Sequence, residues 1–403
     1  MRVKLWGVRG STPTPEKRNA RYGGNTPCIE VRLDNGTLII LDCGSGLRAM
    51  GKSLLREFGG RPVTGYIFLT HLHWDHIQGI PFFLPLYKKG NSFLFRAGLR
   101  RSSELRRTIE GLMGNPYFPV DIDAMAAERH FLDLGEGPIN INGAAITFAP
   151  LNHPQGCVAY RIEADDKVMV LATDTEPGSP FHDRLIRDLA QNADLLLYDS
   201  QYTPERLQGE KKGWGHSSWQ EGVHIAQERG VKRLALFHHD PDSDDAFVDS
   251  LVAQARKEFP NTTGAAEGLE FYLNTGEVSA VGAPQGTGFR AERRYRIELP
   301  VRMIWKDPNG EAKEAIGVTQ DISNSGIYFV APDDLPVNQN IELELLIPYD
   351  ITHCGEVRVR LNATPVRHER LEGTTADERP RLGVGARVDK PIGPVSTEKE
   401  TSS

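Results

Sequence analysis

Cysteine is scarce: Cys28, Cys43, Cys157 and Cys354 are the only four in 403 residues, and none forms a CxxC pair. That scatter excludes a disulfide framework and fits reduced thiols in a cytoplasm. Long apolar runs are missing as well. None approaches the ~20 residues of a membrane span, and MRVKLWGVRGS opens on strand-like alternation without an apolar signal core. Positive charge is in deficit, with 47 Lys and Arg against 54 Asp and Glu, a net charge of −7. A pI near 6.0 argues against a broadly basic nucleic-acid-binding face, although local basic patches stay open. No internal repeat is present. What the chain has is length, enough for two domains, and 39% hydrophobic with 25% charged residues, enough for sizeable cores.

The densest chemistry lies in THLHWDHIQG, residues 70–79, where His71, His73, Asp75 and His76 fall within six positions. The apolar YIFLT before it (66–70) reads as a buried strand that delivers these side chains to a sheet rim. His71 and His73, two apart, point the same way if strand geometry persists, and Asp75 and His76 return on a turn. Imidazole suits Zn²⁺, Mn²⁺ or Fe, and carboxylate adds a harder oxygen ligand. Three histidines and an aspartate so close together read as a metal site with room for two divalent ions.

The pattern HxHxDH resembles the signature of the metallo-β-lactamase superfamily, which implies an α/β fold: an αββα sandwich of two packed sheets with further ligands at strand ends downstream. Candidates stand in that order. ITFAPLNHP carries His153, VMVLATD ends on Asp174, and RLALFHHD ends on His238 and His239. The resemblance implies one ion on His71, His73 and His153, another on Asp75, His76 and His238, and Asp174 as the bridge. His239 takes the neighbouring slot, and a swap with His238 is open. LIILDCGSG ends a buried strand on Asp42. In the family an aspartate here orients the ligands from behind; the alternative is an N-cap for helix 45–58. DLLLYDSQY followed by GWGHSSWQEG is similar to the tRNase Z and cyclic phosphodiesterase branch. That branch sets its GHS histidine, here His216, near the scissile phosphate as proton donor or electrostatic stabiliser; the plainer role is a helix cap. Paired ions that activate water, with His216 neutralising developing charge, suit phosphodiester hydrolysis. Asp75, Asp174 and His216 are the expected catalytic set. Small phosphodiesters or nucleotides are the expected substrates, and a lactonase-like or other ester hydrolase is the rival. A signalling adaptor with a metal-bound platform is a rival of another class.

Residues 276–289 turn small and Gly-rich and read as a linker closing a hydrolase domain of residues 1–275. Strand-like segments at 298–305, 314–320, 326–331, 341–347, 355–367 and 382–388 indicate a small all-β barrel over 290–392, before a tail at 393–403. RAERRYR (290–296) and DISNSG (321–326) resemble the two elements of a PilZ domain's cyclic di-GMP site. Asp321, Ser323 and Gly326 match the second element. The first is met by Arg290 with Arg294, or by an RRxR variant of Arg293, Arg294 and Arg296, guanidinium forks suited to phosphate. The resemblance implies cyclic di-GMP as a regulatory ligand. Oligomeric state is left open, a homodimer included.

Overall fold

The computed structural model describes residues 1–98, 101–280, 299–307, 309–322, 326–332, 335–336, 339–347, 357–370 and 381–392. The chain divides into two compact units, Met1–Ala283 and Pro284–Ser403.

The first unit is built on two facing sheets. One has eight strands in the spatial order Glu277–Ala280, Leu269–Tyr272, Arg2–Gly7, Cys28–Arg32, Leu38–Leu41, Thr64–Leu69, Ser92–Ala97 and Glu128–Leu132. The other has seven, running Thr262–Gly264, Leu234–Phe237, Leu195–Asp199, Lys167–Ala172, Cys157–Ala164, Ala144–Leu151 and Ile139–Ile141. Leu5, Val31, Leu41 and Phe68 from one sheet meet Ile146, Tyr160, Leu171 and Phe237 from the other in a fully buried core. Helices Leu47–Phe58 and Ser102–Leu112 cover the outer face of the first sheet. Pro180–Ala190, Trp219–Glu228 and Asp245–Glu258 cover that of the second. This is the expected αββα sandwich.

Each sheet is parallel where it matters most. Leu38–Leu41 and Thr64–Leu69 run parallel, as do Lys167–Ala172, Leu195–Asp199 and Leu234–Phe237. Strands buried on both faces need apolar residues at every position, which is why LIIL, LLLYD and LALF show no alternation. Their carboxyl ends are where polar residues first become affordable, and the candidate site residues sit there.

The linker begins later than expected. Glu277–Ala280 is an edge strand pairing antiparallel with Leu269–Tyr272, so residues after 276 still belong to the first unit. A short strand with one Val has too little periodicity to stand out from linker composition.

In the second unit six strands close an antiparallel barrel in the order Pro300–Lys306, Ala312–Ile322, Gly326–Pro332, Arg381–Ile392, Val357–Arg370 and Ile341–Ile347. Val301, Met303, Phe329, Leu343 and Val384 fill it. Among the described residues, no helix is long and apolar enough to cross a membrane.

Candidate metal centre

Strand Thr64–Leu69 ends before the HxHxDH motif. His71 and His73 therefore stand on a loop, while Asp75 and His76 lie on the short helix Trp74–Ile77 rather than on a turn. His71, His73 and His153 present ligand atoms within 4.8 Å of one another, and Asp75, His76 and His238 do the same. Asp174 lies between the groups. Its Oδ1 is 3.8 Å from Nε2 of both His71 and His153, and its Oδ2 is 3.3 Å from Nε2 of both His76 and His238. One carboxylate thus turns an oxygen to each side.

The outer ring nitrogens fix the tautomers. His76 Nδ1–H donates to Asp42 Oδ2 at 2.9 Å, His153 Nδ1–H to the Gly215 carbonyl at 2.8 Å, and His238 Nδ1–H to Gln201 Oε1 at 2.9 Å. His71 Nδ1 lies 3.1 Å from Thr70 Oγ1, whose own hydroxyl is within reach of the Asp42 carboxylate. With Nδ1 committed, Nε2 keeps its lone pair for the centre. Nε2 of His71, His76 and His238 is buried without a hydrogen-bond partner. Three orphaned, converging imidazole nitrogens would be costly in an empty polar core, and they fit divalent cations.

The electrostatics agree. Burial opposes ionisation of Asp174, yet the surrounding histidines hold its carboxyl well below the usual carboxylate range. Burial, with the neighbouring imidazoles adding to it, pushes His71 down. The backbone pays for the placement: Asp42, Asp174 and His238 have φ of 58°, 54° and 60°, a region costly for non-glycine residues.

Asp42 is not a helix cap. The N-cap of Leu47–Phe58 is Gly46, and Asp42 instead accepts from the Thr70 N–H at 2.8 Å and orients His76. His216 is not a cap either, because Ser218 takes that position on Trp219–Glu228. Its Nδ1 lies 2.9 Å from Asp199 Oδ2, and its ring stacks on His238 at 5.1 Å between centroids. Burial works against the charged ring, but Asp199 outweighs it and raises the imidazole to about 9.

One expectation fails. His239 faces away from the centre: its Nε2–H donates to the Ala265 carbonyl at 2.8 Å and its ring meets Tyr22 edge-on. Burial, with Arg9 adding to it, pushes this ring down to about 3, so it is a neutral packing group and orients no ligand. Chain geometry after Phe237 decides between the adjacent histidines, because left-handed His238 turns inward.

Sequence reasoning missed Asp199, Gln201 and the Ser11 N–H, which donates to Asp75 Oδ2 at 2.8 Å. Asp199 had a usable signal: it ends an apolar strand as Asp42 and Asp174 end theirs. The other two had none. In the barrel, Asp321 lies opposite Tyr328 and Gly326 opposite Arg387 on paired strands. Arg290, Arg293, Arg294, Arg296 and Ser323 lie outside the described residues.

Residues 37–239 match the family model described as a beta-lactamase superfamily domain, and residues 289–390 match that of the PilZ domain. Ribonuclease Z of Haloarcula marismortui is 25% identical over 319 residues, covering 67% of this chain and 96% of that protein. Ribonuclease BN of Escherichia coli K12 is 25% identical over 297 residues, covering 59% and 91%. Among solved structures, the metallo-β-lactamase fold protein YhfI from Bacillus subtilis aligns with a TM-score of 0.49 at 20% identity, covering 67% of this chain and 97% of that one. Human tRNase Z, short form, aligns with a TM-score of 0.48 at 17% identity, covering 68% and 99%. The first family model spans half of the chain and encloses the whole histidine-aspartate cluster. The chain belongs to the beta-lactamase superfamily as a metal-dependent hydrolase, and it carries a PilZ domain C-terminal to the hydrolase domain.

Proposed function

We propose that the chain is a dinuclear metal-dependent phosphodiesterase acting on a nucleotide or cyclic nucleotide, and that cyclic di-GMP bound to the PilZ domain regulates it. One observation carries the catalytic half: the Asp174 carboxylate divides its oxygens between two groups of ligand side chains, 3.8 Å on one side and 3.3 Å on the other. His71, His73 and His153 would hold one ion, and Asp75, His76 and His238 the other. Bound there, divalent ions supply Lewis-acid charge to a phosphoryl oxygen and bring water toward neutral acidity.

The remaining roles belong to the chain. Gln201, Gly215 and Asp42 keep three imidazoles in the tautomer that offers Nε2. Asp199 takes the Nδ1–H of His216 and leaves Nε2–H as that ring's remaining donor. A cationic imidazole held by a buried carboxylate can neutralise charge on a phosphate or protonate a leaving oxygen. A phosphodiester carries a negative charge that a lactone lacks, so a cation beside the centre favours phosphate. The ribonuclease names of the relatives point the same way.

The regulatory half rests on the PilZ match and on the arginines of residues 290–296 before the barrel. The test is a screen of the protein, purified without chelator, against bis-p-nitrophenyl phosphate, cyclic nucleotides and lactones. Turnover of lactones with none of the phosphodiesters would overturn the reading.

A further inference from the structure

Two tryptophans on the hydrolase domain are left in solvent beside the ligand cluster. Trp74 is 75% exposed and Trp214 is 57% exposed. Trp74 opens the short helix whose next three residues, Asp75, His76 and Ile77, are buried, so the helix turns the indole outward as it turns the ligands inward. Trp214 precedes Gly215, whose carbonyl holds His153, and the rings of His153 and His73 are 5.1 Å apart. Trp74 thus follows one member of this histidine pair in the chain, and Trp214 precedes the glycine that holds the other.

The turn that carries Trp214 is built. Glu176 accepts the N–H of Gly213 on Oε1 and of Gly215 on Oε2, both at 2.8 Å. Gly213 and Gly215 each have φ of 84°, and a Cβ on Gly215 would meet His153 Nδ1 at 2.4 Å. Lys211 lays its ammonium 3.9 Å from the centroid of the Trp214 ring. The indole is thus held, carries a cation against its ring, and stays more than half open. Packing asks for an indole at neither position, since neither ring belongs to a core cluster.

We propose that Trp74 and Trp214 form a stacking platform for an unpaired base of the substrate, which makes the substrate class a nucleotide or single-stranded nucleic acid. The proposal deepens the phosphodiesterase reading and rests on it for the bond that is cut. Every base offers a π-face, so an indole grips it without sequence preference, and Lys211 adds charge complementarity to the adjoining phosphate. Stacking of this kind is worth roughly 5- to 100-fold in affinity per base.

The test pairs two esters with one leaving group, thymidine 5′-p-nitrophenyl phosphate and methyl p-nitrophenyl phosphate, on the metal-loaded full-length protein. The wild type should prefer the nucleoside ester. Trp214→Ala and Trp74→Ala should each cut that preference roughly 5- to 100-fold, mainly through KM, and Trp214→Phe should restore part of it. Independently, adenosine 5′-monophosphate should quench tryptophan fluorescence saturably where ribose 5-phosphate does not, and the double Ala variant should lose the quench. If the wild type cleaves neither ester, the phosphodiesterase reading fails and the fluorescence titration alone decides the platform. A wild type without saturable quenching, or a double variant that keeps both preference and quench, overturns it.

Discussion

Asp199 and His216 form a buried pair, Oδ2 to Nδ1 at 2.9 Å, and the same carboxylate accepts the N–H groups of Asp174, Gln201 and Ser217. One strand-end aspartate therefore sets the histidine, the divided carboxylate and the glutamine that orients His238.

His216→Ala should lower the phosphodiesterase rate by ~10²–10⁴ while metal content stays at the wild-type level. Asp199→Asn, whose amide NH2 would face two of the N–H donors that this carboxylate accepts, should cost a comparable factor. Steady-state rates beside elemental analysis check both. A rate within a few-fold of wild type for His216→Ala would reduce the ring to a packing group.

Much of this centre was legible because parallel strands buried on both faces are apolar until they end, so a polar residue at the end is conspicuous. Asp42, Asp174 and His238 stand at such ends, whereas His153 follows the antiparallel strand Ala144–Leu151 and is singled out by the family's ligand order. His239 was not separable from His238, because adjacent residues differ only in backbone direction and His238 has φ of 60°. Gln201, the Ser11 N–H and the Gly215 carbonyl act through loops that meet only in three dimensions. The barrel strands were legible from their spacing, whereas Glu277–Ala280 was not, being short and at an edge.

Gly215→Ala should damage the centre without replacing any ligand residue. The new Cβ would lie 2.4 Å from both His153 Nδ1 and Pro154 Cδ, and φ of 84° is costly for alanine. Displacing His153 loosens one side of the site. Metal content should fall toward one equivalent, read by elemental analysis on folded protein, with circular dichroism as the control.

Glu270 supplies a pH-dependent share of stability. Its carboxylate lies 2.7 Å from Lys4 Nζ and accepts from the Tyr272 hydroxyl at 2.7 Å. Burial pushes its pKa up, but Lys4 and Tyr272 outweigh burial and hold the group below its ordinary 4.5. A carboxylate depressed on folding stabilises above 4.5 and loses that contribution as pH falls through the folded value. Glu270→Gln should cost ~1 kcal/mol at pH 7 and converge on wild type in acid, measured by denaturant unfolding against pH. A gap that is constant with pH would contradict the ionic account.

Cyclic di-GMP should bind the full-length protein, and the variant with Arg293→Ala and Arg294→Ala should lose that binding, since each hydrogen bond to a charged group is worth ~1.5–3 kcal/mol. Titration calorimetry reads the binding. Rates with and without the ligand read the coupling, which requires a differential interaction with two states. No heat at tens of micromolar ligand would leave a PilZ barrel without its nucleotide.

The most direct measurement of the central claim is the metal content of Asp174→Ala beside wild type, both purified without chelator. Among the described residues, no other carboxylate divides its oxygens between the two groups of ligands, at 3.8 Å from His71 and His153 and 3.3 Å from His76 and His238. Wild type should carry close to two equivalents of Zn, Mn or Fe, and Asp174→Ala should carry clearly fewer and turn over no phosphodiester. Full occupancy with unchanged turnover in Asp174→Ala would contradict a dinuclear centre bridged by this residue.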